Sequence, residues 1–377
     1  MSSRRLLFIQ TQGENAGAQE ISRLVGAGLG NRGYNVNHLF FYRKSPSFDA
    51  PANTRYCSLD RPRGLAGALK FPMQLLREIR AIKPDAILTF QHYGNTVGGI
   101  AARLACFAPI IANQVSARML MNPFVRTADL ALGLLGTFDL ITVNSADMLA
   151  DYSRYPNNYS KRLRYIPHGF DLKRTKLTRQ QARAAFGLPS DVPLLGSVAR
   201  LNSGKRLDAA IRTLTSSPDW HLVLAGQGPD ERRLRQLAVE KHLENRVYFT
   251  GELPPERIGD FLAALDVFVF PSQAETFGLA AVEAASAGVP VVANDLPVLR
   301  EVLATDGKPA ALFVDAADDR QFSDAISRAL HDERLRADLI AAGRGLHARY
   351  SVARMVDQYE QLLCGLFAPA EQLARQP

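Results

Sequence analysis

Apolar positions along the chain follow two alternating periods. Short runs rich in Val, Ile, Leu and Phe are each followed by a longer stretch in which apolar residues recur every three or four positions. The short runs read as strands buried on both faces, and the longer stretches as amphipathic helices. Strands are predicted at 6–10, 35–41, 85–90, 109–113, 140–143 and 163–166. A second series is predicted at 193–199, 220–225, 247–250, 267–270, 289–293 and 311–314. Helical periods fill most of the gaps, among them 18–31, 205–214 and 230–242. The chain runs through one β-α programme twice, the pattern of two α/β domains with parallel sheets.

The stretch RYIPHGFD at 164–171 separates the two series, and its Pro and Gly mark a turn. The boundary is placed near 172–178, giving domains over 1–172 and 178–351. The last helical period, 352–367, carries Met355, Val356, Tyr359, Leu362 and Leu363 on one side. The segment 352–377 is expected to return to the first domain, its last ten residues carrying little pattern. Ligands of such sheets bind outside the carboxyl ends of the strands, so two linked domains are expected to enclose a cleft.

Length changes this picture little, since 377 residues suit two or three domains. Charge adds more. Residues 1–177 hold 23 Lys and Arg against 11 Asp and Glu, a net of +12; the remainder hold 22 against 26, a net of −4. The first half is thus expected to meet something anionic: nucleic acid, a lipid surface or a phosphorylated substrate. No apolar run is long enough to span a bilayer; the best, 131–143, is interrupted by Asp139. Arg4 and Arg5 precede only four apolar residues, too few for a signal peptide. Cys57, Cys106 and Cys364 are scattered, which suits reduced thiols in a cytoplasmic protein.

Candidate chemistry gathers in a few loops. Gly28, Gly30 and Gly33 spell G-x-G-x-x-G, but they end a helical period instead of joining a strand to a helix. Gly33 reads as a helix C-terminus. The turn 13–19, GENAGAQ, follows the first strand, and its Gly17 would let backbone N–H groups approach a ligand. A plain connecting turn fits it equally well.

The strongest signal is VFVFPSQAETFGLAAVEAASAGVPVV at 267–292. A buried strand ends at Phe270, a polar loop carries Glu275, and a helix of small apolar residues is expected from about Phe277. Its free N–H groups and positive dipole end form an anion site. Glu283 is a carboxylate among Ala, Val and Leu, costly without partners. It lies about 10 Å along the helix from Thr276, the separation of a phosphate from a ribose. A carboxylate merely favoured by the dipole of the first helical turns is the other reading.

In GSVARLNSGKRLD, at 196–208, Arg200 ends a strand while Lys205 and Arg206 are expected to open a helix. Cations there oppose the dipole unless an anion such as a diphosphate lies between. An exposed loop that tolerates charge is the alternative. The turn AGQGPD at 225–230 follows the next strand and lines the same edge. His92 follows the strand at 85–90. No D-x-D and no His/Cys/carboxylate spacing of a metal site occurs in the sequence.

Together these segments resemble glycosyltransferase family four, and the resemblance covers nearly the whole chain. Glu275 and Glu283 stand as the two acids of that family's E-x-x-x-x-x-x-x-E motif. Arg200 and Lys205 match its basic pair, YIPHGFD its inter-domain turn, and Gly17 its first Gly-rich turn. The resemblance implies the GT-B fold, two facing Rossmann-like domains with a cleft, an N-terminal acceptor domain and a C-terminal domain for a UDP- or GDP-sugar. It implies a retaining, metal-independent hexosyltransferase with no cofactor. Glu275 would hold donor-sugar hydroxyls, and the backbone of Thr276, Phe277, Gly278 and Leu279 the sugar and distal phosphate. Arg200 and Lys205 would stabilise the leaving diphosphate, and Glu283 would hold the ribose.

One departure stands out. Many members carry a His after the strand matching 109–113, where this chain has Asn113-Gln-Val-Ser116. Gln114, Ser116 and His92 are the candidates for that contact. A nucleotide-sugar 2-epimerase and a non-catalytic nucleotide-sugar sensor share the fold as alternatives.

The basic excess of the first domain concentrates in Arg61, Arg63, Lys70, Arg77, Arg80 and Lys83, against Glu78 alone. Leu65, Leu69, Pro72, Met73, Leu76 and Ile79 give the same segment an apolar side, and Met119–Val125 is a second apolar stretch. Such a segment lies on an anionic bilayer or packs its apolar side on the sheet. The first option predicts a cytoplasmic protein docked on the inner face of the cytoplasmic membrane. It would receive a lipid-linked or other glycan acceptor for polysaccharide or glycolipid assembly, and would bind no nucleic acid.

Overall fold

A computed structural model describes residues 3–45, 48 and 50–368, apart from the side chain of Leu120. The chain forms two units. The first runs to Gly169 and resumes at Tyr350; the second is Phe170–Arg349. The expected boundary at 172–178 lies a few residues beyond the point where the chain leaves the first unit.

The first unit is built on a parallel sheet. Its strands are β1 (Arg5–Gly13), β2 (Asn35–Arg43), β3 (Thr54–Ser58), β4 (Ala86–Phe90), β5 (Ile110–Gln114), β6 (Leu140–Val143) and β7 (Leu163–Tyr165). Their spatial order is β3-β2-β1-β4-β5-β6-β7. The central strands are apolar and buried on both faces, which is why their runs stand out in the sequence. Strand β3, TRYCS, pairs only with β2 at the sheet edge and is half exposed. It lacks an apolar run and was not expected.

The second unit repeats the plan with β8 (Leu194–Val198), β9 (His221–Ala225), β10 (Val247–Gly251), β11 (Val267–Phe270) and β12 (Val291–Asn294). A small hairpin, β13 (Ala304–Thr305) with β14 (Lys308–Pro309), precedes β15 (Ala311–Val314). The order is β10-β9-β8-β11-β12-β15. In both sheets the order reverses beside the first strand, at β1/β4 and at β8/β11. A crevice opens at such a point, because the connections on either side lead to opposite faces.

The helix Val352–Phe367 belongs to the first unit. Residues 369–377, the end of the expected 352–377 segment, lie outside the described residues. Gly28, in the helix Gly17–Asn31, has no room for a side chain: a Cβ there would sit 2.4 Å from Val356 Cγ2. Arg32 pairs with Asp357 and Glu360 beside this contact. The buried Tyr359 hydroxyl donates to Asn113 Oδ1 at 2.7 Å. Thus one Gly of the G-x-G-x-x-G string serves helix packing. Gly33, at φ 91°, lies just past the helix end, as its sequence context predicts.

Candidate functional site

The β8/β11 switch point of the second unit gathers most of the candidate residues. Strand β11 is buried along its whole length and ends at Phe270, where a loop runs to the helix Leu279–Ser286. The helix starts two residues later than expected. Gly278 is its N-cap, with φ 81° in the left-handed region, and a Cβ there would lie 2.6 Å from Leu299 Cδ2. Gly278 therefore shapes the turn that presents the helix N-terminus.

On the neighbouring strand, β8 leads to Arg200, which is exposed, and to a 3₁₀ turn at Ser203–Lys205. Arg206 then adopts φ 48° and caps the helix Leu207–Thr213. Lys205 and Arg206 thus precede the helix instead of opening it, a difference caused by the tight turn at 203–206. The turn ties the two loops together, since Gln273 N–H donates to Gly204 O at 2.8 Å. It also brings Lys205 Nζ to Glu275 Oε1 at 2.5 Å, with the ammonium 5.6 Å from the Phe270 ring centre. The 225–230 turn follows β9 beside them. Gly226 and Gly228 let it pass close to the backbone oxygens of Ala199 and Leu201, where a Cβ would come within 2.0 and 2.2 Å.

Glu283 lies in the same helix, 8% exposed, among the buried Ala281, Val282, Ala284 and Ala285. Its Oε1 is 3.3 Å from Lys173 Nζ. That partner comes from more than a hundred positions away, in the strand-free segment after Gly169, so no local pattern announced it.

In the first unit the β1/β4 switch point holds Gly17 and His92. Gly17 is the exposed first residue of the helix Gly17–Asn31. In the turn before it, Glu14 pairs with Lys44. After β4, Gln91 takes a positive φ of 66° and accepts from Thr11 N–H through Oε1 at 3.3 Å. A π-helical turn follows at Gly94–Gly98, an arrangement frequent at functional sites. His92 stands in this irregular stretch with its ring centre 4.5 Å from that of Tyr93. Its Nδ1 is buried without a hydrogen-bond partner, and burial holds the imidazole below its usual pKa. At neutral pH it is an uncharged ring with an uncommitted polar atom.

Gln114 is different. It is 1% exposed, and its Nε2 donates to Asp129 Oδ1 at 2.8 Å and to Tyr159 OH at 3.0 Å. Its Oε1 accepts from Asn95 Nδ2 at 3.2 Å and from Tyr152 OH at 3.3 Å. A side chain with both ends occupied holds the interior together and is not free for a ligand. Ser116 contributes its carbonyl to Tyr152 OH at 2.9 Å. Of the three candidates for the missing His, Gln114 is committed to the interior, while His92 keeps a buried ring nitrogen without a partner. The network was invisible in the sequence because its members come from five separate segments.

Residues 178–346 match the family described as Glycosyl transferases group 1. The match runs along nearly the whole of the second unit. Among curated relatives, the D-inositol 3-phosphate glycosyltransferase of Corynebacterium urealyticum is 30% identical over 239 residues, 59% of this chain and 56% of that one. The lipopolysaccharide core biosynthesis mannosyltransferase LpsB of Rhizobium meliloti is 33% identical over 213 residues, 54% of this chain and 59% of its own length. The chain therefore spans little more than half the length of the curated relatives it matches.

Solved structures extend the likeness to both units. Sucrose-phosphate synthase from Thermosynechococcus elongatus superposes with a TM-score of 0.80 at 24% identity, covering 97% of this chain and 99% of that one. Anabaena Alr3699/HepE in complex with UDP and glucose gives 0.82 at 19%, covering 95% and 99%. At these identities the likeness concerns the fold, which is GT-B.

Proposed function

We propose that the protein is a retaining glycosyltransferase that moves a sugar from a nucleotide diphosphosugar to an acceptor without a metal ion. The observation that carries this reading is the β8/β11 crevice. There the Lys205–Glu275 pair, Arg200, a helix N-terminus behind Gly278 and the buried Glu283 come from two adjacent strand ends. Arg200 and Lys205 stabilise the diphosphate as negative charge develops on it. Backbone N–H groups from Thr276 to Leu279 hold the sugar and distal phosphate, Glu275 the sugar hydroxyls and Glu283 the ribose. The bond from the anomeric carbon breaks with its electron pair leaving on the diphosphate oxygen. The acceptor oxygen attacks the same face, and its proton passes to a donor phosphate oxygen. His92 and Gly17 are assigned to the reaction from the first unit, on their place at its switch point. A thermal-shift panel of UDP, GDP and ADP tests the reading: one of them raises Tm in wild type and raises it less in Glu283→Gln. No response to any of the three refutes it.

We propose in addition that the acceptor is lipid-linked and that the first unit docks on an anionic membrane face from the cytoplasm. No helix among the described residues is long and apolar enough to cross a membrane. The apolar side expected for 61–83 is divided. In the helix Gly64–Ile82, Leu75, Ile79 and Ile82 are buried, while Leu65, Leu69 and Met73 stand 85%, 70% and 63% exposed. The neighbouring helix Gly99–Ala105 adds exposed Ile100 and Leu104, with Phe107 just beyond it. In the second stretch, Met119 and Phe124 are exposed and Met121 is buried. Among the described residues every exposed large apolar side chain except Val239 lies in the first unit, beside its basic excess. An apolar surface rimmed by cations suits an anionic bilayer. Binding to anionic vesicles should fall with salt and weaken when Lys70, Arg77 and Lys83 become Glu, at about 1 kcal/mol per charge removed. A protein that ignores anionic vesicles at low salt has a soluble acceptor.

A further inference from the structure

Lys173 opens the polar, basic stretch after the inter-domain turn, and its position is built from several directions. The segment that enters the second unit, after Phe170, has no regular secondary structure through Thr175. It passes the helix Ile258–Ala263 at Gly259, where a Cβ would lie 2.5 Å from Arg174 O and 3.0 Å from Lys173 C. Only a glycine lets the two backbones approach this closely. One residue on, Thr175 Oγ1 donates to Asp260 Oδ1 at 2.5 Å and accepts from Leu177 N–H at 3.0 Å. From this fixed backbone the Lys173 side chain reaches Glu283, 3.3 Å away. The two side chains are only 9% and 10% exposed.

We infer that Lys173 is a positioning residue for the donor nucleotide: it holds the Glu283 carboxylate in place, and so sets the affinity for the nucleoside end of the donor. The inference rests on the donor reading given above. A carboxylate among alanines and valines is costly without a cation, and removing one member of a buried pair leaves the other uncompensated. A lysine ammonium approaches a carboxylate as a point charge and occupies part of its acceptor capacity. An arginine fork would take both oxygens. A single ammonium on one carboxylate oxygen is compatible with a diol at Glu283, each hydroxyl donating one hydrogen bond. A ribose contact of this kind is the same before and during sugar transfer. Its loss raises KM for the donor and spares kcat.

The test is calorimetric titration of the full chain with whichever of UDP, GDP and ADP the wild type binds. Lys173→Met should weaken binding about tenfold or more, the scale of a lost charge-assisted hydrogen bond. The double variant Lys173→Met/Glu283→Gln, which removes both charges and so avoids a stranded carboxylate, should fold and bind no more weakly than Glu283→Gln alone. In turnover assays Lys173→Met should raise the donor KM with kcat within about twofold of wild type. Unchanged affinity in Lys173→Met overturns the inference. So do losses that add in the double variant, because Lys173 would then act independently of Glu283. A wild type that binds none of the three nucleotides overturns the donor reading, and the inference with it.

Discussion

Replacing Lys205 by Ala removes the only cation that the structure places against Glu275 within ion-pair distance among the described residues, at 2.5 Å. Two effects follow. The carboxylate loses its partner while only 11% exposed, and the proposed leaving diphosphate loses a fixed positive charge. Since the Lys205 side chain is itself 25% exposed, the stability term is held to about 1 kcal/mol by solvent screening. The catalytic term is larger. A charge-assisted hydrogen bond of about 1.5–3 kcal/mol corresponds to roughly 10–150-fold in kcat/KM. Glu275→Gln should give a loss of similar size. If Lys205 and Glu275 work as one unit, the double variant loses no more than the worse single one, with a coupling of about 1–3 kcal/mol. The assay is nucleoside diphosphate release under steady-state conditions, with thermal melts to separate folding from chemistry. Wild-type kcat/KM in Lys205→Ala, or losses that simply add in the double variant, would refute the argument.

Two further predictions concern the first unit. Asp129 is 1% exposed, and burial raises its pKa to about 6, partly offset by the hydrogen bonds from Tyr159 and Gln114. A carboxyl whose folded pKa is raised stabilises the fold most below its unfolded value near 3.9 and loses that contribution as pH rises through about 6. Asp129→Asn should therefore gain on wild type by about 2–3 kcal/mol between pH 4 and pH 7.5 in urea unfolding; a difference independent of pH would contradict this. Gly28→Ala forces a methyl to within 2.4 Å of Val356 Cγ2 and should cost about 1–3 kcal/mol, read as a lower Tm. An unchanged Tm would mean that the C-terminal helix does not need that contact.

The sheet strands were legible because parallel strands covered on both faces read as unbroken apolar runs. β6, β11 and β15 coincide with their predicted ranges, and most others differ by one to three residues at an end. What lay outside the sequence was set by distance or by tight turns. Edge strand β3 carries no apolar run, so nothing distinguished it from a loop. The helix starts at 207 and 279 were misplaced because Arg206 and Gly278 take left-handed conformations, which no periodicity encodes. Glu283 was singled out correctly as a carboxylate in apolar company. Its partner Lys173 was not, since burial brings together residues that the chain keeps far apart. Gln114 shows the converse: a polar residue at a strand end can serve the interior as well as a ligand, and only its four occupied hydrogen bonds tell which.

The central claim is that this chain transfers a sugar from a nucleotide diphosphosugar. Incubating it with radiolabelled UDP- and GDP-sugars, with and without bacterial membrane lipids, tests that claim most directly. The account predicts label in a lipid-extractable or other glycan product, one nucleoside diphosphate released per sugar transferred, and the donor's anomeric configuration kept. Label that stays wholly in nucleotide form, whether as an epimerised sugar or as untouched donor, would contradict it.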